Sequence, residues 1–252
     1  MSVVTRIIIL AGTFIILSTI QHFIYKYKCV KEGMENGKES PIKNVYLIGD
    51  SIIKNDLYVT SGRSVEYHIN AILKSDKKGP SVTNLAIDNS CINDIYEQLR
   101  FIPVGSRDNN VIFLSVGGND ILKKYVYMHN TDFVGLSNLF KKYKDLVERI
   151  KTQFPEHKLV LMNIYYPPNK QLFSPFYPLI KEWNKSIDGY IGNDNGDTIG
   201  NDNGDTIGND NGDTIGLIRI DEIMIENADF IDNIEPSESG GKKIAKLIAN
   251  IL

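Results

Sequence analysis

Five short apolar runs, each broken by glycine, proline or small polar residues, most limit what this chain can fold into. Val45-Tyr46-Leu47-Ile48 stops at Gly49-Asp50-Ser51, and a second run covers Val82 to Ala86. Val111-Ile112-Phe113-Leu114 leads to Gly117-Gly118-Asn119-Asp120, Leu159-Val160-Leu161-Met162 to Pro167-Pro168, and the last run is Leu217-Ile218-Arg219-Ile220. Runs that are apolar throughout suit strands covered on both faces, as in a parallel sheet. Between them the apolar residues change period. Leu139, Tyr143, Leu146, Val147, Ile150 and Phe154 share one helical face, as do Ile244, Leu247, Ile248 and Ile251. Strand–helix alternation predicts a doubly wound, flavodoxin-like α/β fold, a three-layer sandwich around a five-stranded parallel sheet. Sites in such folds lie outside the carboxyl ends of the strands, which is where these polar clusters fall.

The first residues follow another rule. Ile7 to Tyr25 holds no Asp, Glu, Lys or Arg. As a helix of about 1.5 Å rise per residue, this stretch spans roughly 28 Å, close to a hydrocarbon core of about 30 Å. No A-x-A-like cleavage site follows it, so an uncleaved N-terminal transmembrane helix is expected over a removed signal peptide. Lys26, Lys28 and Lys31 outnumber Arg6 on the other flank, and the positive-inside rule would put the large domain on the cytoplasmic side. The expected organisation is a membrane anchor at 1–28, a linker at 29–42 containing Gly33, Gly37 and Pro41, and one domain at 43–252.

Charge and cysteine content exclude several classes. A formal net charge of -3 without a large basic block argues against nucleic acid as a partner. Lys77-Lys78 and Lys141-Lys142 read as solvated faces. Two cysteines, Cys29 and Cys91, make no disulfide scaffold, and Cys91 reads as a small buried residue rather than a nucleophile. No Cys/His spacing suggests a zinc site.

Gly192 to Ile215 is three identical copies of Gly-Asn-Asp-Asn-Gly-Asp-Thr-Ile. The segment has six Asp, yet no Glu closes an EF-hand loop, and the period of eight is not that of the nine-residue calcium repeat. It reads as a duplicated surface loop between a helix and a strand. Each doubling of such a loop costs only about 0.6 kcal/mol of closure entropy.

Taken in order, the polar clusters resemble the blocks of the SGNH (GDSL-type) hydrolases. Gly49-Asp50-Ser51 is similar to the first block and Asn84-Leu85-Ala86 to the start of the second. Gly117-Gly118-Asn119-Asp120 is similar to the third, and Asp232-Asn233-Ile234-Glu235-Pro236 with Gly240 to the last, Asp-x-x-His-Pro with a trailing Gly. The resemblance runs from about Lys43 to Leu252. It implies hydrolysis of acyl or acetyl esters, including those on carbohydrate, without metal or organic cofactor. It also implies Ser51 as nucleophile, an oxyanion hole from the Ser51 N–H, a second-block N–H and the Asn119 side chain, and Asp232 as the residue that orients the base. A serine hydroxyl needs a neighbour to take its proton, and preplaced donors stabilise the developing oxyanion. Ser51 could equally cap a helical turn, and Asn119 could be a turn residue.

Two positions depart from the pattern. Asn89 stands where the second block has Gly; asparagine tolerates a left-handed backbone better than most residues, so its N–H could still point inward. Glu235 stands where the last block has its catalytic His. Carboxylate is about two pKa units less basic than imidazole, and Asp232 beside it should raise the pKa of one of the pair. Of the four histidines, His22 falls in the apolar segment and His68 and His157 in helical or pre-strand contexts. His129, in the stretch after the third block, reads by default as an exposed loop histidine and is otherwise the candidate replacement base. Two functions stay open: a membrane-anchored serine ester hydrolase with a changed base, and an inactive relative that binds a ligand or protein through the same pocket.

Overall fold

Contacts divide the chain into Met1–Pro41 and Ile42–Leu252. The computed structural model describes residues 41–74, 79–105, 109–125, 133–194 and 215–252. The apolar segment 7–25, the linker to residue 40, His22, Cys29, Lys77-Lys78, His129 and most of the octapeptide repeat lie outside the described residues. Among those described, no helix is long and apolar enough to cross a membrane.

The second unit is built on β1 (Asn44–Gly49), β2 (Ser81–Asn84), β3 (Asn110–Ser115), β4 (His157–Met162) and β5 (Ile215–Ile218), all parallel, in the order β2-β1-β3-β4-β5. This is the expected five-stranded sheet. Side chains alternate between its two faces. Tyr46, Ile48, Ile112, Leu114, Leu159 and Leu161 pack on one face. Helix α2 (Ile95–Gln98), α4 (Phe133–Gln153) and α6 (Tyr177–Asp194) cover it, bringing Ile95, Tyr143, Leu146, Val147 and Trp183. Val45, Leu47, Val111, Phe113, Val160 and Met162 face the other way. There α1 (Val65–Leu73) and α7 (Glu238–Ile251) supply Val65, Ile69, Ile244 and Ile248. The short helices α3 (Gly118–Tyr125) and α5 (Lys170–Phe173) sit beyond the carboxyl ends of β3 and β4.

Several expected boundaries move. The second strand ends at Asn84 rather than Ala86, where the Asn84 side chain accepts the Ala86 N–H at 3.1 Å, although Leu85 N and Ile87 N still donate to β1 carbonyls. The fifth begins at Ile215 and stops at Ile218, since Ile215 is buried opposite Leu159 while Arg219 turns outward to Asp188. Cys91 is half-buried rather than buried. A two-stranded hairpin, β6 (Phe230–Ile231) with β7 (Glu235–Pro236), has no counterpart in the sequence reading.

Candidate active site

The first polar cluster follows β1 directly, and its glycine is required. Gly49 has φ 150°, and a Cβ there would lie 2.2 Å from the Ser115 carbonyl oxygen of the neighbouring strand. Beyond it the chain makes one tight turn, with Ile53 N and Lys54 N donating to Asp50 O. The turn is capped by the Asp50 carboxylate, whose Oδ1 accepts from Ile52 N at 3.1 Å. Capping therefore falls to Asp50 and not to Ser51. The Ser51 hydroxyl instead lies close enough to the Glu235 carboxyl to favour its ionised form. Oε2 of Glu235 is buried without a hydrogen-bond partner.

Asn119 enters on the first turn of α3, and its Nδ2 donates to Ser90 O at 3.1 Å. An amide nitrogen carries two hydrogens, so one remains for a ligand. The second-block asparagine has the left-handed backbone expected of it, with φ 61° at Asn89. Lys123 Nζ holds the Asn89 carbonyl at 3.0 Å. Asp120 receives the Ile92 N–H at 3.0 Å, which joins α3 to the same loop. Burial pushes the Asp120 carboxyl up to about 6.

The last block arrives on the hairpin. Asp232 and Asn233 both have positive φ, 50° and 68°, and Ile234 N closes the turn on Ile231 O at 3.2 Å. Positive φ at both central residues is the geometry of type I′ hairpin turns, which Asn and Asp tolerate. Tyr165, from the loop after β4, donates its hydroxyl to Ile234 O at 2.6 Å. Behind the hairpin, Lys243 grips the buried Asp229 at 2.8 Å. The trailing Gly240 packs so closely that a Cβ would stand 2.2 Å from Asp229 O.

Asp232 lies on the turn of the same hairpin as Glu235. It is exposed in the hairpin turn and acts on Glu235 through its charge. Burial is the first cause that raises the Glu235 carboxyl, the Ser51 hydroxyl opposes it, and the charges of Asp88 and then Asp232 add to it. Asp88, absent from the sequence reading, accepts the Tyr58 hydroxyl at 2.9 Å. Asp50 is 1% exposed, and burial, with smaller contributions from the Glu235 and Asp120 charges, pushes its carboxyl up to about 8.

Ser51, Asn119 and Glu235 line one cavity of about 100 Å³. Its apolar wall comes from Ile121, Leu122, Ile164, Phe173, Phe176 and Ile180. Neither described histidine lines it. His68 lies on α1, and His157 opens β4 at the far end of the strand from the site. Cys91 borders the second block, where burial raises its thiol pKa and so disfavours the thiolate. Among the described residues no cluster of His, Cys, Asp or Glu could hold a metal ion.

Comparisons agree with this geometry. The GDSL-like Lipase/Acylhydrolase family profile matches residues 45–248. No functionally curated protein matches the sequence. A lipolytic G-D-S-L family protein from Veillonella parvula is similar in structure, with a TM-score of 0.60 and 18% identity over 83% of this chain and 98% of that one. A variant of an acetyl xylan esterase from Geobacillus stearothermophilus gives 0.56 and 15%, over 84% and 94%. These likenesses carry the fold. The family match over most of the chain, with the motif order seen in the structure, places this protein in the GDSL-like lipase/acylhydrolase family.

Proposed function

We propose that the protein is a serine ester hydrolase in which Glu235 replaces histidine as the base for Ser51. The carrying observation is that Ser51, Asn119 and a desolvated Glu235 carboxyl line one cavity, with the Ser51 hydroxyl close enough to favour the ionised carboxylate. The ionised carboxylate takes the Ser51 proton as Oγ attacks the ester carbonyl. The oxyanion forms against the Ser51 and Asn89 N–H groups and the free Asn119 hydrogen. As the tetrahedral intermediate collapses, the Glu235 acid returns the proton to the leaving alkoxide. Water then repeats the cycle on the acyl-serine. Desolvation makes Glu235 a better base than an exposed glutamate, and it also sets the pH dependence. Turnover rises with pH as Glu235 ionises, above the usual glutamate range.

The cavity supports a short acyl group. An apolar cavity of about 150 Å³ holds benzene, so about 100 Å³ suits an acyl chain of about four carbons or fewer. The acetyl xylan esterase among the structural relatives fits that size class. We also propose that residues 7–25 tether the domain to a membrane. Retention of the full chain in alkali-washed membranes, and its release when 1–28 is deleted, tests this.

One observation favours binding without turnover: no described histidine reaches the site, and a raised Glu235 is partly protonated at lower pH. The deciding experiment measures p-nitrophenyl acetate hydrolysis and fluorophosphonate labelling for wild type, Ser51→Ala, Glu235→Gln and Glu235→His. The hydrolase reading expects Ser51→Ala to abolish both signals and Glu235→Gln to lower the rate about 10²–10⁴-fold. A wild type that neither turns over nor labels, while Glu235→His gains activity, sinks it in favour of the binding protein.

A further inference from the structure

The three donors of the oxyanion hole come from separate segments, and one buried side chain ties those segments together. Gln98, the last residue of α2, is 1% exposed. Its Oε1 accepts the Gly49 N–H at 2.8 Å, and its Nε2 donates to the Gly49 carbonyl at 2.8 Å. The same Nε2 reaches Ser90 Oγ at 3.2 Å. Ser90 in turn offers its carbonyl to Asn119 Nδ2 at 3.1 Å. The path Gly49–Gln98–Ser90–Asn119 thus begins two residues before Ser51, passes the residue after Asn89 and ends on the third donor.

We infer that Gln98 is a positioning residue that sets the spacing of the oxyanion donors; this rests on the ester-hydrolase reading. Only an amide of this length satisfies the arrangement. Gly49 needs an acceptor for its N–H, its carbonyl takes one amide hydrogen beside the Ile87 N–H at 3.1 Å, and the second amide hydrogen serves Ser90. Leucine fills the volume but leaves the Gly49 N–H buried without a partner. Glutamate retains the acceptor, but while ionised it sets charge against the Gly49 carbonyl. Once protonated, it can donate its one hydrogen to the Gly49 carbonyl, restoring that bond but not the one to Ser90.

The test compares full-length wild type with Gln98→Leu and Gln98→Glu in p-nitrophenyl acetate hydrolysis across pH. Peptide-resolved hydrogen exchange and thermal unfolding run alongside. The expected result is a kcat about 10–100-fold lower for Gln98→Leu, with KM within about twofold and unfolding still cooperative. For Gln98→Glu, the ratio of its kcat to that of wild type rises as pH falls. Folded variants with unchanged kcat, a loss carried by KM, or a Gln98→Glu ratio flat with pH overturn the inference. If wild type has no Ser51-dependent turnover, the hydrolase reading fails and hydrogen exchange decides the strap. Faster exchange in Gln98→Leu confined to residues 49–53 and 87–92 upholds it, whereas unchanged or globally faster exchange overturns it.

Discussion

The Ser51 side and the Glu235 side of the cavity are held in different ways. Ser51 follows a central strand, and its flanking backbone is fixed by Asp50, Gln98 and the Ser115 carbonyl, all buried. Glu235 sits on a two-strand hairpin whose turn is exposed and which is held to its surroundings by side-chain bonds from Tyr165 to Ile234 O, Asn169 to Asn233 and Asn55 to Pro236 O. The first side has little freedom to change chemistry without losing the fold. The second carries its side chain on a local element, where one residue can be exchanged for another while the hairpin stays. The family's histidine is replaced on that second side.

Three substitutions test the contrast, in order of expected effect. Gly49→Ala puts a methyl against the Ser115 carbonyl, and the strand pair must separate; a loss of roughly 4 kcal/mol or more is expected in urea unfolding. A loss under about 1 kcal/mol would show that the Ser51 side yields as easily as the hairpin. Asp50→Asn keeps an acceptor for Ile52 N and removes a buried acid. Because the folded pKa of Asp50 is raised to about 8 from an ordinary 3.8, its stabilising contribution is whole below about pH 4 and is lost as pH rises through about 8. The variant should therefore gain on wild type by several kcal/mol at pH 9 and converge with it near pH 4, as read from unfolding curves at both pH values. Tyr165→Phe removes one of the hairpin's tethers and should cost about 1 kcal/mol. Its effect on kcat should stay within about tenfold, smaller than the effect expected for Gln98→Leu. A larger one would make the hairpin as tightly determined as the strand end.

The residues legible in the sequence are those whose structural demand is local. A strand followed at once by Gly49-Asp50-Ser51 announces a sharp turn at a sheet edge, and Asn89 could be expected to accept φ 61° because asparagine is among the few residues that do. Asn119 was legible for the same reason, one residue into a helix after the third strand. Gln98 was not, because its partners are backbone atoms 49 residues away and a glutamine on a short helix looks like any polar surface residue. Tyr165 meets Ile234 across 69 residues and was equally silent. Asp50 took the capping role that Ser51 was expected to share, a competition between adjacent side chains that their order alone does not settle. Asp232-Asn233 did carry a hairpin signal, two turn-prone residues between isoleucines, which the motif reading passed over.

β5 begins on Ile215, the last residue of the third octapeptide copy, and that isoleucine is buried opposite Leu159. Each copy ends in the same Ile-Gly step: Ile199-Gly200, Ile207-Gly208, Ile215-Gly216. Loss or gain of a whole copy by replication slippage therefore delivers the same two residues to the start of β5, in frame and in register. A change in copy number would thus leave the residues that enter β5, and their pairing with β4, as they are.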